Sequence, residues 1–229
     1  MKRLALPLLA LAVWPLHAGV VLLDTTVNQA VPDDSGTGLF SQVNVATPGT
    51  IDSVSVSVDL GAAAGSQAFL GDLYVYLQHG SELSVLVNRP GRRAGESLGY
   101  DDNQSLNVTF NDAGTGDIHS YRPTDATPLG GALTGTWQPD GRTADPAAVL
   151  TSQTPTAFLS SFVGGPVQGD WRLFVGDYSE GAVHQLNSWS LTVNFTPVPE
   201  PATCAALAAA GLLAFAAMRK SRVGSEAGR

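Results

Sequence analysis

Apolar and polar residues alternate with a period of two in six stretches of the chain. Val54, Val56, Val58 and Leu60 are separated by Ser55, Ser57 and Asp59, and Leu73, Val75 and Leu77 by Tyr74 and Tyr76. Leu83, Val85 and Val87 follow across His79-Gly80-Ser81, which reads as a hairpin turn. Leu106, Val108 and Phe110 make a fourth set, Trp171, Leu173 and Val175 a fifth, and Trp189, Leu191, Val193 and Phe195 a sixth. Successive side chains of a strand point to opposite faces, so each set predicts a strand with one face on a core and the other in water. Weaker strands are predicted over Val20–Leu23 and Gln42–Ala46. No segment of 19–197 keeps a long helical period. Six to nine short strands with turn signals between them predict an all-β domain built as a two-sheet β-sandwich.

The two ends break this pattern. Lys2-Arg3, the apolar run Leu4–Val13 and Pro15-Leu16-His17-Ala18 have the order of a signal peptide, with cleavage between Ala18 and Gly19. That run is too short for a stable membrane anchor. At the other end Val198-Pro199-Glu200-Pro201-Ala202 precedes an uncharged Ala- and Leu-rich stretch, Thr203 to Met218, and then Arg219-Lys220-Ser221-Arg222. The stretch is at the short limit of a spanning helix. The basic cluster of Arg219, Lys220 and Arg222 would stop it on the cytoplasmic side, leaving everything before Pro199 outside. The expected organisation is a signal peptide over 1–18, a sandwich over 19–196, a linker over 197–201, and one C-terminal transmembrane helix with a basic tail over 202–229.

The order Pro199-Glu200-Pro201, apolar helix, basic end closely resembles the PEP-CTERM sorting signal. The resemblance implies recognition by an exosortase, an integral-membrane cysteine transpeptidase-like enzyme, after export through the Sec machinery. It places the protein at the inner membrane first and then at the cell envelope, the surface or outside the cell.

Charge refines the picture. Residues 19–196 carry eighteen acidic side chains against six arginines and no lysine, a net of −12. Such a field repels nucleic acid and anionic lipid and suits cations. The single cysteine, Cys204, lies in the tail, so the sandwich has no disulfide and no thiolate metal site. Packing must hold it, with or without a bound ion.

Five segments also resemble the P domain, or P/Homo B domain, in order and spacing: Ile51-Asp52-Ser53-Val54-Ser55-Val56, Gly71-Asp72-Leu73-Tyr74-Val75-Tyr76-Leu77, Asn107-Val108-Thr109-Phe110-Asn111-Asp112-Ala113, Gly169-Asp170-Trp171-Arg172-Leu173 and Leu186-Asn187-Ser188-Trp189-Ser190-Leu191. The resemblance covers roughly residues 35–196. The P domain follows the catalytic domain of kexin- and furin-like subtilisin proteases and also occurs without a protease. It implies a jelly-roll-like β-sandwich. The chain departs from it at Gln78-His79-Gly80-Ser81, where a Pro-x-Gly turn is usual, at Phe110-Asn111-Asp112, and in a longer segment over Pro139–Ser161.

The candidate chemistry is sparse. Asp34-Ser35-Gly36, His79-Gly80-Ser81 and Gly95-Glu96-Ser97-Leu98-Gly99 echo serine hydrolase motifs. A nucleophile elbow needs a strand before the serine and a helix after it. Here Arg92-Arg93-Ala94 and Tyr100-Asp101-Asp102-Asn103 flank it, which is loop sequence, so no enzyme is expected. His79, His119 and His184 fall in predicted turns and read as solvated residues. Calcium needs six to eight oxygens on a shaped loop. Some of Asp72, Asp101, Asp102, Asp112 and Asp177 could supply one Ca²⁺ site, as in some P domains; the alternative is solvated turn aspartates. No EF-hand spacing occurs, because Leu106 stands where that loop needs glycine. Tyr74, Tyr76 and Tyr100 either form an exposed face for a sugar or peptide or pack against the second sheet. The reading is a noncatalytic binding or structural module with a protein or polysaccharide ligand. The alternative is an accessory domain acting in trans with a subtilisin- or kexin-like endopeptidase.

Overall fold

The computed structural model describes residues 18–198 and 208–216. Nine strands run through the first of these: β1 Gly19–Ala30, β2 Ser35–Val45, β3 Gly49–Ala62, β4 Leu73–His79, β5 Glu82–Asn88, β6 Leu106–Phe110, β7 Leu133–Trp137, β8 Gly169–Asp177 and β9 His184–Pro197. They form a five-stranded sheet in the order β1-β9-β3-β6-β7 and a four-stranded sheet in the order β2-β8-β4-β5. The inward residues are those the alternation predicts. Val54, Val56, Val58 and Leu60 from β3 and Trp189, Leu191 and Val193 from β9 share one buried cluster with Leu73, Val75 and Leu77 from β4 and Trp171, Leu173 and Val175 from β8. The indole of Trp189 donates to the Ser41 hydroxyl at 2.9 Å, a direct polar tie between the sheets. Trp171 is fully buried, stacked on the His79 ring with centroids 4.0 Å apart and met edge-on by Phe162 at 5.2 Å.

β5 departs from the predicted pattern. Val87 pairs with Val75 on the core side, but the register shifts between Val75 and Tyr76, so that Val85 lies opposite Tyr76. A bulge inserts one residue and flips every later side chain to the other face. The predicted set Leu83, Val85, Val87 is therefore split. Val85 is nonetheless buried, because the long segment noted in the sequence lies along the free edge of β5: Ala157 O accepts from Val85 N, while Gly141 N and Asp140 N donate to Val85 O and Leu86 O. Capping an edge in this way removes a row of unpaired backbone groups. β7 was not foreseen. It runs parallel to β6, contains Gly135, and buries only Leu133 fully, so its sequence shows no alternation.

Gly19 lies opposite Phe195 in the antiparallel β1–β9 pair, and an added Cβ on Gly49 would meet the Phe195 ring at 2.3 Å. The start of β1, the start of β3 and the end of β9 therefore gather at one end of the sandwich. The opposite end is built from the 63–72, 89–105 and 178–183 connections.

The second compact unit, from Pro197 onward, is described over 197–198 and 208–216, the latter helical. Among the described residues no helix is long and apolar enough to cross a membrane. Residues 1–17 of the signal peptide expected over 1–18, the motif residues Pro199, Glu200 and Pro201 and the basic residues Arg219, Lys220 and Arg222 lie outside the described residues. Of the expected cleavage pair, Ala18 is exposed and Gly19 begins β1.

Candidate functional site

The end of the sandwich away from Gly19 and Phe195 concentrates its buried charge. A 3-10 turn, Leu70–Asp72, feeds β4 there, and Leu73 pairs with Asp177, the last residue of β8. Tyr178 N donates to Asp72 O at 2.9 Å, locking the two connections together. Arg89, with φ +47, is one of three non-glycine residues in the left-handed region among the described residues. A bulky residue holds that conformation only where its surroundings impose it. Here the guanidinium is pinned: Nε donates to Gly71 O at 3.0 Å, Nη2 donates to Ser179 Oγ at 2.8 Å, and Nη2 lies 3.6 Å from Asp72 Oδ1. Behind this pair, His184 Nδ1 meets Asp177 Oδ2 at 2.6 Å with both side chains buried. The carboxylate can only accept, so Nδ1 carries the hydrogen. His184 Nε2 is buried without a partner among the described residues.

Burial pushes the Asp72 carboxyl above its ordinary range; neighbouring Asp177 adds to this, and Ser179, Arg89 and His184 oppose it. Burial likewise lowers Arg89, aided by Arg92 and opposed by Asp72, Asp177 and Asp34.

Beside this network runs a cleft of about 600 Å³. Phe69, Leu98 and Tyr100 give it apolar walls, and Asp72, Asp101 and Glu180 give it carboxylates. Leu98 is 64% exposed. Tyr100 is fixed from behind, with its hydroxyl donating to Asp125 at 2.8 Å and the Arg122 guanidinium 4.5 Å from its ring centre. Burial, and then the Asp125 hydrogen bond, push the Tyr100 hydroxyl up to about 12. Arg122 in turn donates to Asp101 and, at 2.7 Å, to Asp102. Asp102 also accepts from Tyr121 Oη at 2.6 Å and Leu129 N at 2.7 Å. Burial alone would raise Asp102, but the bonds from Arg122, Tyr121 and Leu129 outweigh it and hold the carboxyl below its ordinary value.

The five aspartates, some of which are expected to supply one calcium site, are distributed over separate places. Asp72 and Asp177 face Arg89 and His184, and Asp101 and Asp102 face Arg122. Asp112 lies elsewhere, accepting from Leu159 N at 2.9 Å and Ser160 N at 2.7 Å. Among the described residues no three His, Cys, Asp or Glu side chains gather in an arrangement able to hold a metal ion. A calcium ion would have to compete for these carboxylates with the arginines, the histidine and the backbone N–H groups that already engage them.

The histidines also differ from expectation, since all three are buried. His119 Nδ1 lies 2.9 Å from Asp140 Oδ2, and His79 has Asp170 O at 2.9 Å and Pro166 O at 2.7 Å. Turn positions do not imply solvent when a neighbouring loop closes over them. The three fragments that echo hydrolase motifs are not assembled. Asp34 is in the β1–β2 turn, Ser97 is exposed in the 89–105 connection, and His79 lies at the far end of β4, about 20 Å along the strand from the Leu73 end.

The tyrosines divide. Tyr74 and Tyr76 lie on the outer face of the four-stranded sheet in an aromatic cluster. Tyr76 stacks on Phe174 at 4.7 Å, Phe40 lies 4.9 Å from Phe174, and Tyr178 lies 5.8 Å from Tyr74. Tyr100 is apart from them, 5.0 Å from Tyr121.

Arg89 and Arg122 escape the sequence reading, which gives His184 only as a solvated turn residue. The scarcity of cations was the available signal: six arginines in a sandwich of that net charge invite the question of which carboxylates each one serves.

The tail carries a recognised address. Residues 197–220 match the PEP-CTERM protein-sorting motif. No curated protein matches the chain. Among solved structures it is similar to the serine protease of Aeromonas sobria, alone and in complex with a chaperone. Identity is 19% and the TM-score 0.43 in both, over 83% of this chain for the complex and 82% for the protease alone. The chain spans 29% of the length of either neighbour.

Proposed function

We propose that the protein is an exported, exosortase-sorted module of the cell envelope or extracellular matrix that binds or builds rather than catalyses. The sorting motif over 197–220 carries this reading. The chain is exported by the Sec machinery and cut between Ala18 and Gly19. Thr203 to Met218 then holds it in the inner membrane, with Arg219, Lys220 and Arg222 on the cytoplasmic side, until exosortase acts at Pro199-Glu200-Pro201. The sandwich is a jelly-roll-like, P-domain-like module. β1 starts at Gly19, on the mature side of the expected cleavage position. The net of −12 over 19–196 argues against nucleic acid as a partner. The likeness to the Aeromonas protease is too weak to favour an accessory role beside a separate endopeptidase.

The test is the intact mass of the protein recovered from the envelope or medium of its own host. A mass starting at Gly19 and ending near Pro199–Pro201 is expected. A mass that retains residues through Arg229 in all fractions overturns the sorting step.

A further inference from the structure

We propose that the free edge of β1 is a self-association seam, along which residues 19–25 pair antiparallel with the same residues of a second copy about a two-fold axis through Leu22. The seam goes beyond the reading above and rests on it only for removal of the residues before Gly19.

Three observations lead to it. The first is the state of the sheet edges. The edge of β5 is covered by the segment that bonds Val85 and Leu86, and β7 is only five residues long. β1 and β2 are twelve and eleven residues long, and each pairs on one side only, β1 with β9 and β2 with β8. Among the described residues no other backbone-to-backbone hydrogen bond reaches either strand. β1 keeps unbroken register with β9 from Gly19 to Thr26, so its outer side is a regular row of backbone N–H and C=O groups. Another extended backbone matches such a row group for group. Lysine and proline, which commonly blunt an edge, are absent from β1.

The second is coverage of the core. Among the described residues, seven apolar side chains lean on the core without full burial, and five of them are on these two strands: Val21, Leu23 and Val27 of β1, Leu39 and Val43 of β2. β1 packs on β2, so they mark one lateral side of the sandwich where the core is incompletely closed. On the outward face of β1, Val20 and Leu22 are 62% and 63% exposed. A strand added beside β1 covers residues of both faces at once.

The third is charge, which selects a second copy and its register. A net of −12 sets copies of this domain against one another over most of their surface. β1 and β2 together carry one charged side chain, Asp24. With the axis through Leu22, Leu22 faces Leu22 of the second copy, Val21 faces its Leu23, and Val20 faces its Asp24. The two Asp24 side chains then stand four residues apart along the seam, about 14 Å and beyond a Debye length at physiological salt. An axis through Asp24 would set the carboxylates face to face, which is destabilising. A two-fold seam presents the same surface twice, so a match in one copy is a match in both. Seven residues span about 24 Å and the two layers lie about 10 Å apart, so the seam buries on the order of 1,200 Å² in total with its side chains. That is the lower bound for a specific interface, and the dimer is reversible.

The test uses the mature chain recovered from its host, in mild detergent, followed by sedimentation velocity from about 1 to about 100 μM. A monomer–dimer equilibrium is expected, shifting toward dimer as salt rises from about 50 to about 500 mM. Leu22→Lys alters an exposed side chain and should leave the melting temperature unchanged. It sets two ammonium groups opposite each other and should weaken the dimer at least about tenfold. In a Cys204→Ser background, Leu22→Cys should form an intermolecular disulfide on mild oxidation, whereas Asn107→Cys, exposed on β6, should not. A chain that is monomeric at every concentration and salt overturns the proposal. So does a dimer that is equally strong in Leu22→Lys or cross-links equally well through Asn107→Cys, since its contact lies elsewhere. The intact-mass measurement reads export and sorting independently, so either idea can fail alone.

Discussion

His184 Nδ1 donates to Asp177 Oδ2 across 2.6 Å, in a pair with 1% and 0% side-chain exposure that joins the last residue of β8 to the first of β9. A turn of six residues separates the partners, and its ends are closed by this one bond rather than by backbone pairing. Removing the imidazole leaves a buried carboxylate without its donor, which costs far more than the bond contributes when intact. His184→Ala should destabilise the protein by about 3 kcal/mol. His184→Asn, whose amide can donate from nearly the Nδ1 position, should recover part of that loss. Urea denaturation checks both, as a fall in midpoint at unchanged slope.

Asp102 makes the second prediction. Its folded-state pKa lies below the ordinary 3.8 because of bonds from Arg122, Tyr121 and Leu129. The stability this contributes is present above the unfolded value and is lost as pH falls through the lower, folded one. Asp102→Asn leaves Arg122 with only the exposed Asp101 and should cost about 3 kcal/mol near neutrality. The gap between wild type and variant should be constant above about pH 5 and shrink toward pH 2. Denaturation midpoints measured across that range give the curve; a gap independent of pH down to about 2 would contradict it.

Calcium provides the third. With Asp72, Asp101, Asp102, Asp112 and Asp177 engaged by protein partners, millimolar Ca²⁺ or EDTA should leave the melting temperature of the full chain within about 1 °C. A site filled to about a hundred times its Kd would add about 2.7 kcal/mol, which scanning calorimetry would register as a shift of several degrees.

The turn that feeds β4 supplies the fourth. Gly71 packs against the backbone of the 89–105 connection, where an added Cβ would meet Tyr100 N and O at 2.6 Å and Leu98 O at 2.8 Å. Backbone cannot swing aside as a side chain can. Gly71→Ala should therefore cost about 2 kcal/mol by overpacking. It should also displace Tyr100, and the change in the Tyr100 ring resonances by NMR locates the strain.

The strands were legible because alternation is a local signal. Val54, Val56, Val58 and Leu60, or Trp189, Leu191, Val193 and Phe195, carry their own period, and the core face follows from it wherever one sheet covers another. The tail was legible for a similar reason, since Pro199-Glu200-Pro201, an apolar run and a basic end are contiguous. β7 was not, because a short strand with a single fully buried side chain has no period to show. Nor was the split of β5, because its bulge is set by pairing with β4.

The candidate site depended on contacts distant in sequence. Arg89 meets Ser179 over ninety residues and Arg122 meets Asp102 over twenty, so no spacing rule could assign them. The sequence alone determined that this chain is β-rich, acidic and addressed for sorting, because periodicity, net charge and a contiguous motif need no third dimension. Only the tertiary structure decided which carboxylates are consumed inside and which remain on a cleft. A buried charge must find a partner wherever the fold brings one, as Arg89 finds Ser179 and Arg122 finds Asp102.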